Sequence, residues 1–174
     1  MTWLTELPVG DSDWDRLSRQ WPEAFVALAG LVGAAWDEAD PLLLELCRLR
    51  MATLLKYTSE GARRSTRARL AGATDEKVAD LAQWPTSPLF TERERACLAL
   101  TEQFVIDANG VTDAHINAIT DHLGPRGCFG FVQALSALET FQRACLTLGI
   151  HTAPDIDALA RMAGEHRSSQ EVAT

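Results

Sequence analysis

Three polar side chains follow an apolar segment of the chain at spacings of three and four residues. They are Tyr57, Glu60 and Arg64, in the stretch LLKYTSEGARR. An aromatic hydroxyl can donate to a substrate oxygen, a carboxylate can move a proton, and a guanidinium can hold a carboxylate or enolate oxygen. The spacing therefore suggests a polar site beside a hydrophobic core.

The element that carries these residues can be read in two ways. One helix continuing from Asp40 would put all three on the same face as its apolar residues, so that they line a cavity. Alternatively the helix breaks near residues 56–59 and the second half is solvated. Glu60 and Arg64 would then form an i,i+4 ion pair that contributes about 0.2–0.5 kcal/mol.

A fourth candidate, Glu45, lies inside the apolar stretch LLLELCRLRM. Carboxylates are seldom fully buried unless they are paired, so Glu45 needs a partner, which is Arg48, Arg64 or a group on another helix. It can serve as a desolvated general acid or base, or it can form a structural ion pair with Arg48. The residues alone leave both roles open.

Helix start and stop signals recur along the whole chain. Asp40 precedes Pro41, and Thr91 with Glu94 forms a capping box, both typical of helix N-termini. Helix ends are indicated at Gly124-Pro125 and at Gly149. Because no segment shows a convincing period of two, the sequence predicts an all-α fold of about seven or eight helices.

Length and composition predict one helical domain over residues 1–164, with a short helix near residues 154–164, and a flexible tail at residues 165–174. The net charge of −8 argues against duplex nucleic acid or an anionic membrane as a partner. No apolar run is long enough to cross a bilayer. The N-terminus lacks the basic and apolar regions of a secretory signal, so we expect a cytoplasmic protein.

Cysteine and histidine spacings indicate neither a redox pair nor a metal site. The apolar neighbours of the four cysteines favour reduced core residues over a disulfide or a catalytic thiol. These cysteines are Cys47, Cys97, Cys128 and Cys145. No H-x-x-x-H or H-E-x-x-H pattern is present, so we predict no metal and no cofactor.

Most of the chain resembles the carboxymuconolactone decarboxylase / AhpD-like alkylhydroperoxidase superfamily. The resemblance covers residues 20–150 and rests on ELCRLRMA, the AGATDEKV turn, the SPLFTERERACLALTEQF helix start and the apolar helix near residues 128–148. It implies a single-domain AhpD-like helical fold. It also implies a homo-oligomer, whether dimer, trimer or higher.

Many members of that superfamily reduce peroxides with a Cys-x-x-Cys pair, a histidine and a glutamate on the preceding helix. The resemblance places Glu45 at the glutamate position and Arg64 at the histidine position. The two cysteine positions hold Tyr57 and Glu60. Peroxide reduction of the family type is therefore excluded, because a thiolate must attack the peroxide and a second thiol must resolve the product.

Three functions remain open. The leading one is a cofactor-free lyase or isomerase that performs acid–base chemistry on a small anionic or carbonyl-bearing metabolite, by decarboxylation, isomerisation or ring opening and closure. The second is a non-catalytic oligomeric binding or assembly protein with a retired active site. The third is a thiol peroxidase that uses one of the scattered cysteines.

The enzyme hypothesis assigns roles to individual residues. Glu45 moves the proton, and Tyr57 and Arg64 bind or polarise a substrate oxygen, while Glu60 completes the catalytic set. Two further residues are candidates for substrate binding. They are Arg67, in the basic cluster RRSTRAR, and Asn109, in a loop at a helix end.

Overall fold

The computed structural model describes residues 10, 12–151 and 157–158 of the chain, and in this part it contains eight α-helices and no strand. This confirms the predicted all-α fold. The predicted tail, residues 165–174, lies outside the described residues, as does most of the predicted helix near residues 154–164. The helices are α1 (Asp13–Ser18), α2 (Pro22–Glu38), α3 (Pro41–Leu54), α4 (Thr58–Gly61), α5 (Thr66–Leu70), α6 (Asp75–Ala79), α7 (Glu92–Ile106) and α8 (Asp113–Leu148). Short 3-10 turns lie at Leu81–Gln83 and Ala108–Gly110.

Local capping chemistry sets where the main helices begin. One carboxylate oxygen of Asp40 accepts hydrogen bonds from the backbone N–H groups of Leu42 and Leu43, at 2.9 and 3.3 Å, and so caps α3. At the start of α7, the Thr91 hydroxyl accepts from the Glu94 N–H, and the Glu94 carboxylate accepts from the Thr91 N–H. These caps confirm both predicted starts, because they depend only on residues close in sequence.

The helix that carries Glu45 does not continue through LLKYTSEGARR. Helix α3 ends at Leu54, and Lys56 adopts a left-handed φ of 57°, which an α-helix cannot accommodate. Chain direction therefore changes before Tyr57, and Glu60 lies on the separate short helix α4. The continuous helix was the wrong interpretation, and the break near residues 56–59 is confirmed. The solvated second half that went with the break is not, because Glu60 is buried.

Helix α3 is the central element of the core. It packs against α7 and α8, while α2 packs on α8. All seven residues from Leu43 to Leu49 are buried, although this run includes the charged side chains of Glu45 and Arg48. A helix with almost no solvent-facing side has nowhere to expose these charges, so they must be neutralised inside the protein.

Helix α8 is interrupted at Gly124. This residue has φ 70° and ψ 168°, a conformation that is essentially restricted to glycine, and Pro125 follows it. The interruption confirms the predicted helix end at Gly124-Pro125 and divides α8 into two segments. As a result the second segment leaves the break in a new direction, beside α2.

Candidate functional site

The centre of the predicted site is an arginine on α3. Arg48 is fully buried and donates from Nε to Glu45 Oε2 at 2.9 Å, one helical turn earlier. From Nη1 it donates to Glu60 Oε1 at 2.7 Å and to the Glu60 carbonyl oxygen at 3.1 Å. Arg48 therefore joins the two candidate carboxylates into one buried cluster.

The remaining oxygens of both carboxylates are also bonded. Glu45 Oε1 accepts from the backbone N–H of Ser65 at 3.0 Å, and Glu60 Oε2 accepts from the Arg63 guanidinium. Arg48 Nη2 donates in turn to the Arg63 carbonyl oxygen at 2.8 Å. We call Glu45, Arg48, Glu60 and Arg63 the buried ion cluster. Its three innermost side chains are at most 1% exposed.

Electrostatics inside the buried ion cluster favour the charged form of Arg48. Burial by itself would lower the pKa of this guanidinium, but the carboxylates of Glu60 and Glu45 more than offset the burial and raise the pKa above its ordinary value. The structure thus holds a permanent positive charge between two negative ones. This arrangement neutralises charge in the core and leaves no side of Arg48 open to solvent.

Tyr57 lies beside this cluster but directs its hydroxyl elsewhere. The hydroxyl donates to the carbonyl oxygen of Ile150 at 2.6 Å, beyond the end of α8. Burial, with a further contribution from the nearby thiol of Cys145, raises the pKa of Tyr57 well above its usual range. The phenol is therefore a neutral donor that ties the chain after α8 to the start of α4.

Arg64 does not form the predicted ion pair with Glu60, so that part of the sequence interpretation was wrong. Its Nη1 donates instead to the carbonyl oxygens of Gly61 and Arg63, at 2.6 and 2.9 Å. Glu60 has already been neutralised by Arg48 and Arg63. Helix α4 ends at Gly61, so Glu60 and Arg64 do not lie one turn apart in a single helix.

The two candidate substrate-binding residues lie outside the buried ion cluster. Arg67 pairs with Asp37 at 3.3 Å, and both side chains are more than 40% exposed. Asn109 is exposed in a 3-10 turn, where its backbone N–H donates to Asp107 Oδ1 at 3.0 Å. Neither residue shares a hydrogen bond with Glu45 or Glu60 in the part of the chain described.

The residue that organises the cluster was absent from the predicted site set. The signal for Arg48 was present, because it lies three residues after Glu45 inside an apolar helix and is one of the partners that Glu45 was expected to need. Arg63 and Ser65 carried no signal of their own. Their positions depend on how the chain turns after α4, which no local pattern specifies.

All four cysteines are buried and none forms a disulfide. Burial raises the pKa of the Cys97 and Cys145 thiols to about 12 and raises that of Cys47 well above its usual value. A thiol reacts as its thiolate, so these three are poor nucleophiles at neutral pH. Within the described residues, no group of three or more His, Cys, Asp and Glu side chains could hold a metal ion.

A cavity of about 740 Å³ lies away from the buried ion cluster, between α2 and the second segment of α8. Leu31 and Ala34 of α2 face Phe129 and Ala134 of α8 across it. The cavity has a mainly apolar lining in which a few charged side chains take part. We call it the α2–α8 cavity; none of the six residues predicted for the site lines it.

Comparison with known proteins identifies the fold. No family model matches this chain, and no curated protein matches its sequence. The chain does resemble the crystal structure of a protein of unknown function from Agrobacterium tumefaciens, proposed to be the antioxidant defence protein AhpD. The TM-score is 0.70 with 20% sequence identity, over 80% of this chain and 96% of the other.

This likeness shows that the chain has an AhpD-like fold, and it confirms the fold resemblance inferred from the sequence. At such low identity it carries no information about activity. In the described part of the chain, no helix is both long and apolar enough to cross a membrane.

Proposed function

We propose that this protein is a non-catalytic binding protein built on the AhpD-like fold, with a small molecule bound in the α2–α8 cavity and a structural buried ion cluster. One observation carries the proposal. Both oxygens of Glu45 and both oxygens of Glu60 already accept hydrogen bonds from the protein. A general base needs an oxygen that a substrate proton can reach, and both carboxylates are at most 1% exposed with each oxygen already bonded.

The groups expected to polarise a substrate are occupied in the same way. Tyr57 and Arg64 donate to backbone carbonyl oxygens of their own chain. A substrate would have to displace these contacts and open a core in which Glu45, Arg48 and Glu60 are at most 1% exposed. Removing one partner from a buried ion pair is costly, so the buried ion cluster is better suited to stabilise the fold than to exchange partners during turnover.

The α2–α8 cavity supports the binding half of the proposal. Its volume of about 740 Å³ lies within the range of known ligand pockets, roughly 300–1,000 Å³. Its lining combines apolar walls with a small number of polar groups, as ligand pockets do. A binding protein needs such a cavity and has no need for an accessible nucleophile or base.

Binding can be measured with N-phenyl-1-naphthylamine, a neutral apolar fluorophore whose emission rises in an apolar site. We expect saturable binding to the full chain. Ala34→Trp places an indole in the cavity and should lower the affinity at least about tenfold, which corresponds to ~1.4 kcal/mol. Ala99→Trp, at a half-buried alanine on α7 outside the cavity lining, is the matched control. Absence of binding, or equal effects of the two variants, would contradict the proposal.

Turnover assays test the acid–base alternative. The wild type and Glu45→Gln are incubated with a library of small lactones and carboxylic acids, below the unfolding temperature of both, and products are followed by mass spectrometry. We expect no protein-dependent product from either. A product formed by the wild type and lost in Glu45→Gln would establish an enzyme and reject the non-catalytic proposal.

Thiol titration and a peroxide assay test the thiol peroxidase alternative. With 5,5′-dithiobis(2-nitrobenzoate), we expect no rapidly reacting thiol in the native protein and all four after unfolding. Hydrogen peroxide with dihydrolipoamide as reductant should be consumed at the rate of the protein-free blank. Consumption above the blank that disappears on substitution of one cysteine would overturn our view of the cysteines.

A further inference from the structure

We infer that the α2–α8 cavity binds an amphipathic carboxylate, a molecule with an apolar chain and one anionic head. This inference rests on the proposed function and names its ligand class. The walls of the cavity are mainly apolar. Leu31 and Phe129 are 47% and 68% exposed, and both line the cavity together with the small residues Ala34 and Ala35. Exposed apolar surface of this kind gains free energy when an apolar chain covers it.

Among the lining residues that the structure describes, the only acidic side chain, Asp40, is already neutralised. Asp40 caps α3 with one carboxylate oxygen and accepts from Arg93 Nη1 with the other, at 3.0 Å. Both of its oxygens are therefore bonded within the protein. Asp40 consequently presents little uncompensated negative charge to a ligand in the cavity.

Arg126 supplies a positive charge without such a partner. It lines the cavity, and no hydrogen bond or ion pair joins its side chain to another residue in the described ranges. It also lies directly after Gly124-Pro125, in the first turn of the second segment of α8, where the helix dipole disfavours a cation. An anion beside Arg126 would relieve this unfavourable placement.

Arg93 extends the positive surface. Only its Nη1 bonds to Asp40, and its side chain is 42% exposed at the cavity. The lining thus holds two arginines against one neutralised aspartate, in a protein whose net charge is −8. A guanidinium binds a carboxylate through two parallel hydrogen bonds, which makes a carboxylate the head group that fits best.

Displacement of N-phenyl-1-naphthylamine from the full chain tests the inference. Decanoic acid and decanol share an apolar chain and differ in the charge of the head group, so they are compared below their aggregation limits at about pH 7.5. We expect decanoate to displace the fluorophore at a concentration at least about tenfold lower than decanol. Added salt should weaken decanoate and leave decanol unchanged, because screening acts on the charged head group.

Variants locate the effect. Arg126→Gln should raise the decanoate concentration needed for displacement toward that of decanol, with no change for decanol itself. Arg69→Gln, at an exposed arginine outside the cavity lining, is the control and should behave as the wild type. Circular dichroism checks that both variants remain folded.

The possible failures are distinguishable. If decanol and decanoate displace the fluorophore equally and Arg126→Gln changes neither, the carboxylate inference is overturned while binding in the cavity stands. If the fluorophore does not bind, or if Ala34→Trp leaves its binding unchanged, the proposed function itself fails. If Arg126→Gln alters the subunit number in light scattering and decanoate does not bind, the cavity is an interface between copies and the inference is rejected.

Discussion

The buried ion cluster and the α2–α8 cavity both contain arginine, and they use it in opposite ways. Arg48 is completely buried and bonds to two carboxylates and two backbone carbonyl oxygens. Arg126 is exposed in a cavity wall and has no bonded partner in the described part of the chain. A guanidinium whose donors are bonded within the protein contributes to the fold. A guanidinium with unpaired donors beside an apolar wall is available to a ligand.

The comparison also bears on the candidate residues from the sequence. Glu45 and Glu60 are the residue types that move protons, but their surroundings leave them no free oxygen. Arg93 and Arg126 line the α2–α8 cavity, and neither was among the candidate site residues read from the sequence. The type of a residue does not by itself distinguish a catalytic carboxylate from a structural one, because the role also depends on the bonds that the carboxylate already makes.

Loss of Arg48 should have the largest effect on stability. Arg48→Met leaves two carboxylates buried without their shared cation, so we expect the free energy of unfolding to fall by about 3–5 kcal/mol. Guanidinium chloride denaturation at neutral pH measures this. Arg69→Met, which removes an exposed ion pair with Asp75, is the control and should cost less than about 0.5 kcal/mol.

The Arg48 variant could fail to fold, and Glu45→Gln keeps this comparison testable. That variant preserves shape and leaves Arg48 paired with Glu60, so we expect a smaller loss of about 1–3 kcal/mol. An unchanged midpoint of denaturation in both variants would show that the buried ion cluster does not stabilise the fold.

Alkaline pH should weaken the core through the buried thiols. The pKa values of Cys97 and Cys145 are raised from 9.0 to about 12 in the folded protein, so between these values the unfolded state binds fewer protons than the folded state. Stability is therefore fully present below about pH 9 and decreases as pH rises toward 12, by roughly 1 kcal/mol per thiol at about pH 10. Urea denaturation at several pH values measures the slope.

Alanine variants provide the control for this pH effect. Cys97→Ala and Cys145→Ala should lower stability at every pH because they create cavities, yet each should reduce the alkaline slope. If both variants keep the same slope of stability against alkaline pH, titratable groups other than these two thiols cause the loss.

The hydroxyl of Tyr57 should have a smaller effect. Tyr57→Phe removes the hydrogen bond to the Ile150 carbonyl oxygen and preserves the packing of the ring, so we expect a loss of about 1 kcal/mol. Thermal unfolding followed by circular dichroism measures it. Binding of the fluorophore should be unchanged, since Tyr57 does not line the α2–α8 cavity; a coupled loss of binding would contradict the separation of the two regions.

Arg126 should have the smallest effect on stability. It makes no bond that Arg126→Gln would break, so we expect the free energy of unfolding to change by less than about 0.5 kcal/mol. The same denaturation experiment as for Arg48 gives the direct comparison. A loss comparable to that of Arg48→Met would show that Arg126 is a structural residue.

The amino-acid sequence by itself determined the all-α fold and several helix boundaries. Asp40 with Pro41, the capping box of Thr91 and Glu94, and the break at Gly124 act through backbone groups only a few residues away. Local signals of this kind can be read in sequence because the partner of each cap is fixed by covalent proximity.

Only the tertiary structure decided which charges pair. The left-handed conformation of Lys56 ends α3 and returns the chain across it, which brings Glu60 to Arg48 and leaves Arg64 facing its own backbone. The α2–α8 cavity likewise exists because the interrupted helix packs beside α2. Pairing of buried charges and the space between helices depend on contacts distant in sequence, and no local spacing records them.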